Sequence, residues 1–146
     1  MSIPLLIFWS LSLLTLGICL LALWKGGPPE RFGAGAILGI VILGRLIGLL
    51  LNPETYPTLR LIEDGLTALA LLAVAVRYAS FWLGGAMLLY AALFALHAAY
   101  FVIGRKPDLI YTVVIDVCFL GVSICLGVGT AVFWRNRVRK RAASMA

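Results

Sequence analysis

The sequence predicts an all-α integral membrane protein, a bundle of five transmembrane helices, and three observations carry that prediction. Of 146 residues, 63% are hydrophobic and 12% charged, with a mean hydropathy of +1.08; soluble domains are roughly half apolar and a quarter charged. The apolar residues fall into five runs, each long enough to cross a hydrocarbon core about 30 Å thick. The breaks between runs, such as "KGGPPER", "NPETYPT" and "GRKPD", combine glycine, proline and charge, the composition of loops.

The first predicted span, residues 3–24, opens on "MSIPLLIFW". It lacks a basic n-region and outlasts a signal-peptide core, so it reads as a retained span. The second, residues 33–51, carries Arg45 in its interior. The third, residues 59–78, begins with Arg60, Glu63 and Asp64 and leaves only "GLTALALLAVAV" uninterrupted. Four spans plus a re-entrant helix is therefore the alternative architecture. The fourth and fifth are residues 81–103 and 109–134. Residues 1–134 thus form the bundle, and residues 135–146 a basic cytoplasmic tail holding five of the twelve basic residues.

Charge sets the expected orientation. With five spans and the N-terminus in the periplasm, Lys25, Arg31, Arg77 and the five tail residues face the cytoplasm. Arg60, Arg105 and Lys106 face out, a split of 8 against 3 with Arg45 uncounted. Four spans with the N-terminus inside give 7 against 4, so the positive-inside rule favours five. Trp24, Trp82 and Trp134 then all fall at the cytoplasmic interface, where indoles prefer to sit, and Tyr56 and Tyr111 at the opposite one.

Depth brings the ionisable residues together. Arg45, His97 and Asp116 each lie six or seven residues from the outer end of a span, roughly 9–11 Å in. Glu63 and Asp64 lie near the same level, as do Ser10 and Ser12 of the first span. Charge in hydrocarbon is costly, by about 3 kcal/mol per group on insertion scales, so these groups are expected to face one another inside the bundle. Asp116, Glu63 and Asp64 are the candidate acceptors for the Arg45 fork. The layer reads as a polar staple fixing helix register, or as an outward-opening site for an ion, a proton or a small ligand.

His97 shares a helix face with Tyr90, Phe94, Tyr100 and Phe101, at spacings of three, four and seven. This aromatic stripe is either packing or the wall of a pocket for a quinone, pigment or lipid tail. No cofactor is predicted. A b-type haem would want a second histidine, and the chain has only one. A metal held by His97, Asp116 and Asp64 is chemically conceivable, but no metal site is predicted. Cys19, Cys118 and Cys125 lie in apolar runs without metal-ligand spacing and read as small hydrophobes.

Small residues mark the expected close approaches: Gly35, Gly39, Gly44 and Gly48 in span two, Ala91, Ala95 and Ala99 in span four, and Gly121, Cys125 and Gly129 in span five. Span five has a second stripe, Asp116, Ser123, Gly127 and Thr130. That suggests internal packing on one face and another subunit, or a second copy, on the other.

The first loop, "WKGGPPERFGAGAIL", with a histidine in a late span and Gly129–Thr130 before the basic tail, resembles a group of small uncharacterised inner-membrane proteins of alphaproteobacteria. The resemblance implies a bacterial inner-membrane location and a multi-pass architecture, and carries no activity with it. HExxH, GxSxG and any placed nucleophile–base pair are lacking, so no enzyme is expected. The expected role is a non-catalytic accessory or scaffold subunit of a respiratory, photosynthetic or secretion-type membrane complex. The alternative is a small membrane protein that binds or conducts an ion, a proton or a small apolar ligand through the polar layer. Lipid and other membrane subunits are the expected partners, and nucleic acid is not, because the basic tail directly abuts a span.

Overall fold

The computed structural model describes residues 3–50, 56–106 and 108–144, with the side chains of residues 3–8, 45, 47–50, 56–57 and 60 outside the description. Every element described is helical: α1 (Ile3–Lys25), α2 (Pro28–Leu50), α3 (Tyr56–Tyr78), α4 (Phe81–Ile103) and α5 (Leu109–Ala143). The first four have 23 residues each and α5 has 35, or about 35 Å and 52 Å at 1.5 Å per residue. Short turns make sequence neighbours antiparallel. The helices close into a ring in which α1 packs on α2, α2 on α3, α3 on α4, α4 on α5, and α5 back on α1. A smaller α2–α5 contact crosses the ring.

Three boundaries differ from the sequence expectation, two of them for a local reason. Helix α2 starts at Pro28 rather than residue 33, because proline suits the first helical position, whose N–H has no intrahelical acceptor. Helix α3 starts at Tyr56 and equals α2 and α4 in length, longer than its uninterrupted apolar stretch suggested. Helix α5 continues through the basic residues to Ala143, since arginine, lysine and alanine are all good helix formers. The segment expected as a tail is a helical extension about 13 Å long beyond Trp134.

The two described turns at the ends of α4 show why the chain reverses there. Gly104, at φ 65°, takes the left-handed conformation after α4. Its N–H donates to the Phe101 carbonyl and that of Arg105 to the Tyr100 carbonyl, a glycine-terminated helix end. At the other end, Ala79 adopts φ 45° between α3 and α4.

The Lys25 end of the bundle, where α1 meets α2, is locked by a buried tryptophan. Trp82 is 2% exposed, and a Cβ added at Gly33 of α2 or Gly129 of α5 would overlap its ring. Its Nε1–H donates to Glu30 Oε1 at 3.0 Å, and the Gly27 N–H donates to Glu30 Oε2 at 2.9 Å. Glu30 thus reaches back to the residue capping its own helix, as a third-position glutamate does, while tying α2 to α4. Trp24 and Trp134 are exposed, at 74% and 50%, but Trp82 does not join them in an interfacial belt. Much of the "WKGGPPERFG" stretch is explained by packing. A Cβ at Gly26 would strike the Ala22 carbonyl, and one at Gly27 the Phe133 ring.

Both small-residue faces of α5 are used within the chain, contrary to the expectation of one internal and one intersubunit face. On one, Gly121 lies against Leu89, Cys125 against Gly85 and Gly129 against Trp82, all on α4. On the other, Gly127 lies against Ile18 of α1, and the Ser123 and Thr15 hydroxyls share a buried hydrogen bond of 2.9 Å. Thr130 is buried and donates to the Leu126 carbonyl. A closed ring of five helices gives each helix two neighbours, and two narrow faces on α5 are the consequence. Gly35 and Gly39 are exposed with open space around them, so they mediate no close approach among the described residues. Gly48 lies outside the described side chains. Cys19 and Cys118 are buried and Cys125 half-buried, all free thiols packed as small hydrophobes.

Candidate functional site

The polar layer forms around one cavity. A space of about 180 Å³ lies between all five helices: Leu11 and Ser12 come from α1, and Ile40, Val41 and Gly44 from α2. Glu63 and Asp64 come from α3, Tyr90, Leu93 and His97 from α4, and Ile115, Asp116 and Phe119 from α5. These positions are six to nine residues from the helix ends nearest Asp108 in the polar cases, so the cavity sits roughly 9–14 Å inside that end.

Of the five layer residues, the structure brings Glu63, Asp64, His97 and Asp116 together on this wall. Arg45 is a helical residue of α2 whose side chain lies outside the described residues. Asp64 Oδ2 pairs with His97 Nδ1, an acceptor role that sequence reasoning had offered to Arg45. The Glu63 carboxylate lies against Gly44, where a Cβ would come within 2.9 Å of Oε1. Glycine there lets the carboxylate approach the α2 backbone. Thr67, buried one turn along α3, donates to the Glu63 carbonyl. Ser12 lines the cavity, whereas Ser10 is exposed.

His97 is 6% exposed, and its Nε2 is buried without a hydrogen-bond partner among the described residues. A carboxylate on Nδ1 favours the proton at that nitrogen in the neutral ring, leaving Nε2 as an acceptor. Leaving such a group unmatched in a dry interior costs about 1–3 kcal/mol, which is why buried polar atoms are nearly always matched. Among the described residues no group of three His, Cys, Asp or Glu side chains is arranged to hold a metal ion.

The aromatic stripe divides. Tyr90 is buried and lines the cavity with His97, while Phe94 and Phe101 are 39% and 49% exposed on the outside. Tyr100 belongs to a second cluster above the cavity. Its ring lies 4.7 Å from that of Tyr111, which lies 5.3 Å from the imidazole of His97. Tyr111, the third residue of α5, packs against His97 and Tyr100 at that helix end, and the side chain of Tyr56 is outside the description.

Asp108, which sequence reasoning did not single out, holds this cluster. It caps α5 by accepting from the Tyr111 N–H at 2.9 Å, and it accepts from the Tyr100 hydroxyl at 2.8 Å and from Arg105 at 2.7 Å. The signal that could have found it was an aspartate directly before an apolar run. The backbone bond from Tyr111, then the Tyr100 hydroxyl, with Arg105 adding to both, hold its carboxyl below the usual aspartate range. A depressed folded value means the latch contributes fully above the unfolded aspartate value, about 3.9, and is lost as pH falls through the folded one. Protection of the Tyr111 amide, its exchange measured against the intrinsic rate at each pH, is therefore expected to fall on acidification below about pH 4, with that step absent in Asp108→Asn. Protection that is unchanged by acid in the native chain would contradict the latch.

Together the fold and the site define a five-helix bundle around an acidic, histidine-bearing cavity. No protein-family model matches the chain, and no curated protein or solved structure is significantly similar to it. The reading of the cavity therefore stands on its own chemistry.

Proposed function

We propose that this chain is a multi-pass protein of a bacterial inner membrane, with five spans, a periplasmic N-terminus and a cytoplasmic basic end, whose central cavity binds a monovalent cation in competition with a proton. Support for the membrane comes from a surface distributed opposite to that of a soluble bundle. Large apolar side chains stand outside, Val76 at 80% and Leu88 at 75%, while Glu30, Glu63, Thr67, His97 and Ser123 are inside. Among the described residues, α4 and α5 are long and apolar enough to cross a bilayer, with apolar 18-residue stretches of mean hydropathy 2.0 and 2.4.

The observation that carries the cation is the charge of the cavity wall. Among the described residues that line it, Glu63, Asp64 and Asp116 are three acidic side chains, and His97 is the one side chain that can carry a positive charge. Uncompensated charge at membrane depth is expensive, so the balance calls for a proton or another cation. The unmatched Nε2 of His97 adds an acceptor beside it. The reading is of a binding protein and not of an enzyme. An accessory-subunit role is compatible with it, favoured by the open face of α2 at Gly35 and Gly39.

A cation that competes with a proton should stabilise the folded chain more as pH rises, because linkage makes the two bind at each other's expense. The test is the unfolding midpoint of the detergent-purified chain in sodium, potassium or methylammonium chloride against choline chloride at equal ionic strength. A midpoint rise that grows from about pH 6 to pH 9, and is lost in Asp116→Asn and in His97→Ala, is expected. Midpoints indifferent to the cation at every pH would overturn the proposal.

A further inference from the structure

The helical continuation of α5 builds a second site at the opposite end of the bundle. Trp134, Arg137, Val138 and Arg141 recur at spacings of three, four and seven, so they share one face of the extension. That face lies over the end of α1, and with Trp24 and Lys25 it encloses a groove of about 210 Å³. The Lys25 ammonium stands 4.2 Å from the ring centre of Trp24 and 5.5 Å from that of Trp134, within cation–π range. Among the described residues, neither Lys25, Arg137 nor Arg141 has a carboxylate partner, the two ion pairs described being His97–Asp64 and Arg105–Asp108. Arg135 and Arg139 stand on the same helix but do not line the groove.

We infer that this groove binds the phosphate of an anionic phospholipid, with Lys25, Arg137 and Arg141 on the headgroup and Trp24 and Trp134 at the boundary with the acyl chains. Three converging cations without anions suit a phosphate, and the arginine forks can take its oxygens two at a time. Exposed indoles belong where headgroups meet hydrocarbon. Below them, Leu20 and Leu21 of α1 and Val128 and Val132 of α5 are exposed and apolar, a surface for acyl chains beside the α1–α5 seam. A free phosphate would use the cations but neither the tryptophans nor this surface. The site goes beyond the cation cavity and does not depend on it.

The test compares charge-matched variants of the full-length purified chain, Arg137→Ala with Arg141→Ala against Arg135→Ala with Arg139→Ala. Each pair removes the same charge from the same helix. Binding of phosphatidylglycerol, followed by native mass spectrometry from detergent, is expected to weaken about tenfold or more in the first pair and under about threefold in the second. Phosphatidylcholine should bind poorly to all forms, and inorganic phosphate should not displace phosphatidylglycerol. Lys25→Gln provides an independent check at the end of α1, should the helical extension fray in the first pair, and is expected to weaken the same binding. Equal losses in the two arginine pairs, equal binding of the zwitterionic lipid, or displacement by phosphate would each overturn the inference.

Discussion

Trp82→Ala is expected to cost about 3–5 kcal/mol of bundle stability, among the largest single losses available in this chain. The ring fills the space between Gly33 and Gly129, and the packing of the Lys25 end depends on it. Its removal also deprives Glu30 of a donor inside a dry region, a penalty of about 1–3 kcal/mol that overlaps the first. Trp82→Phe keeps a six-membered ring but loses the pyrrole part of the indole and its N–H, so it should fall between the native chain and the alanine variant. The glycines supply an internal control. Gly129→Ala should destabilise by overlap with the indole, whereas Gly35→Ala and Gly39→Ala meet open space and should be neutral or gain up to about 1 kcal/mol in helix propensity. Equilibrium unfolding in mixed micelles measures all of these. A Trp82→Ala variant within about 1 kcal/mol of the native chain would refute the lock.

Arg45→Leu is expected to be comparably severe, by several kcal/mol, because on the membrane reading proposed above Arg45 is the cation at the level of three carboxylates. The positions of the candidate acceptors, of which the sequence put Asp116 first, favour Glu63. Asp64 is engaged by His97, and the Glu63 carboxylate lies against α2 at Gly44, the residue before Arg45. Coupling in a double-mutant cycle should therefore be larger for Arg45→Leu with Glu63→Gln than for Arg45→Leu with Asp116→Asn, the first double variant recovering much of the loss. Additive losses for the first pair would remove Glu63 as the partner.

The layer was legible in the sequence because ionisable residues deep in apolar runs are conspicuous, and counting from the run ends gives their depth. Glu63, Asp64, His97 and Asp116 meet at one cavity for that reason. The helices were legible from the same runs, to within a few residues except where polar residues are helical. Those exceptions are Pro28–Phe32 at the start of α2 and residues 135–143 at the end of α5, where hydropathy reports the end of the apolar run rather than the end of the helix. The Glu30–Trp82 bond was hidden, because a glutamate in a proline-rich turn and a tryptophan at a run end both resemble ordinary interfacial residues. Their pairing is decided by the ring order of the helices, which no local pattern encodes. The split of the aromatic stripe, with Tyr90 inside and Phe94 outside, likewise depends on where α3 and α5 flank α4.

The central claim is that the cavity holds an exchangeable monovalent cation, and counting protons tests it most directly. The purified full-length chain in unbuffered micelles, titrated with sodium, potassium or methylammonium at fixed pH, is predicted to release protons in proportion to protein, saturably. Asp116→Asn and His97→Ala should abolish that release while retaining the helical signal, and Asp108→Asn should not. Release that is absent, or that persists undiminished in both cavity variants, would contradict the account.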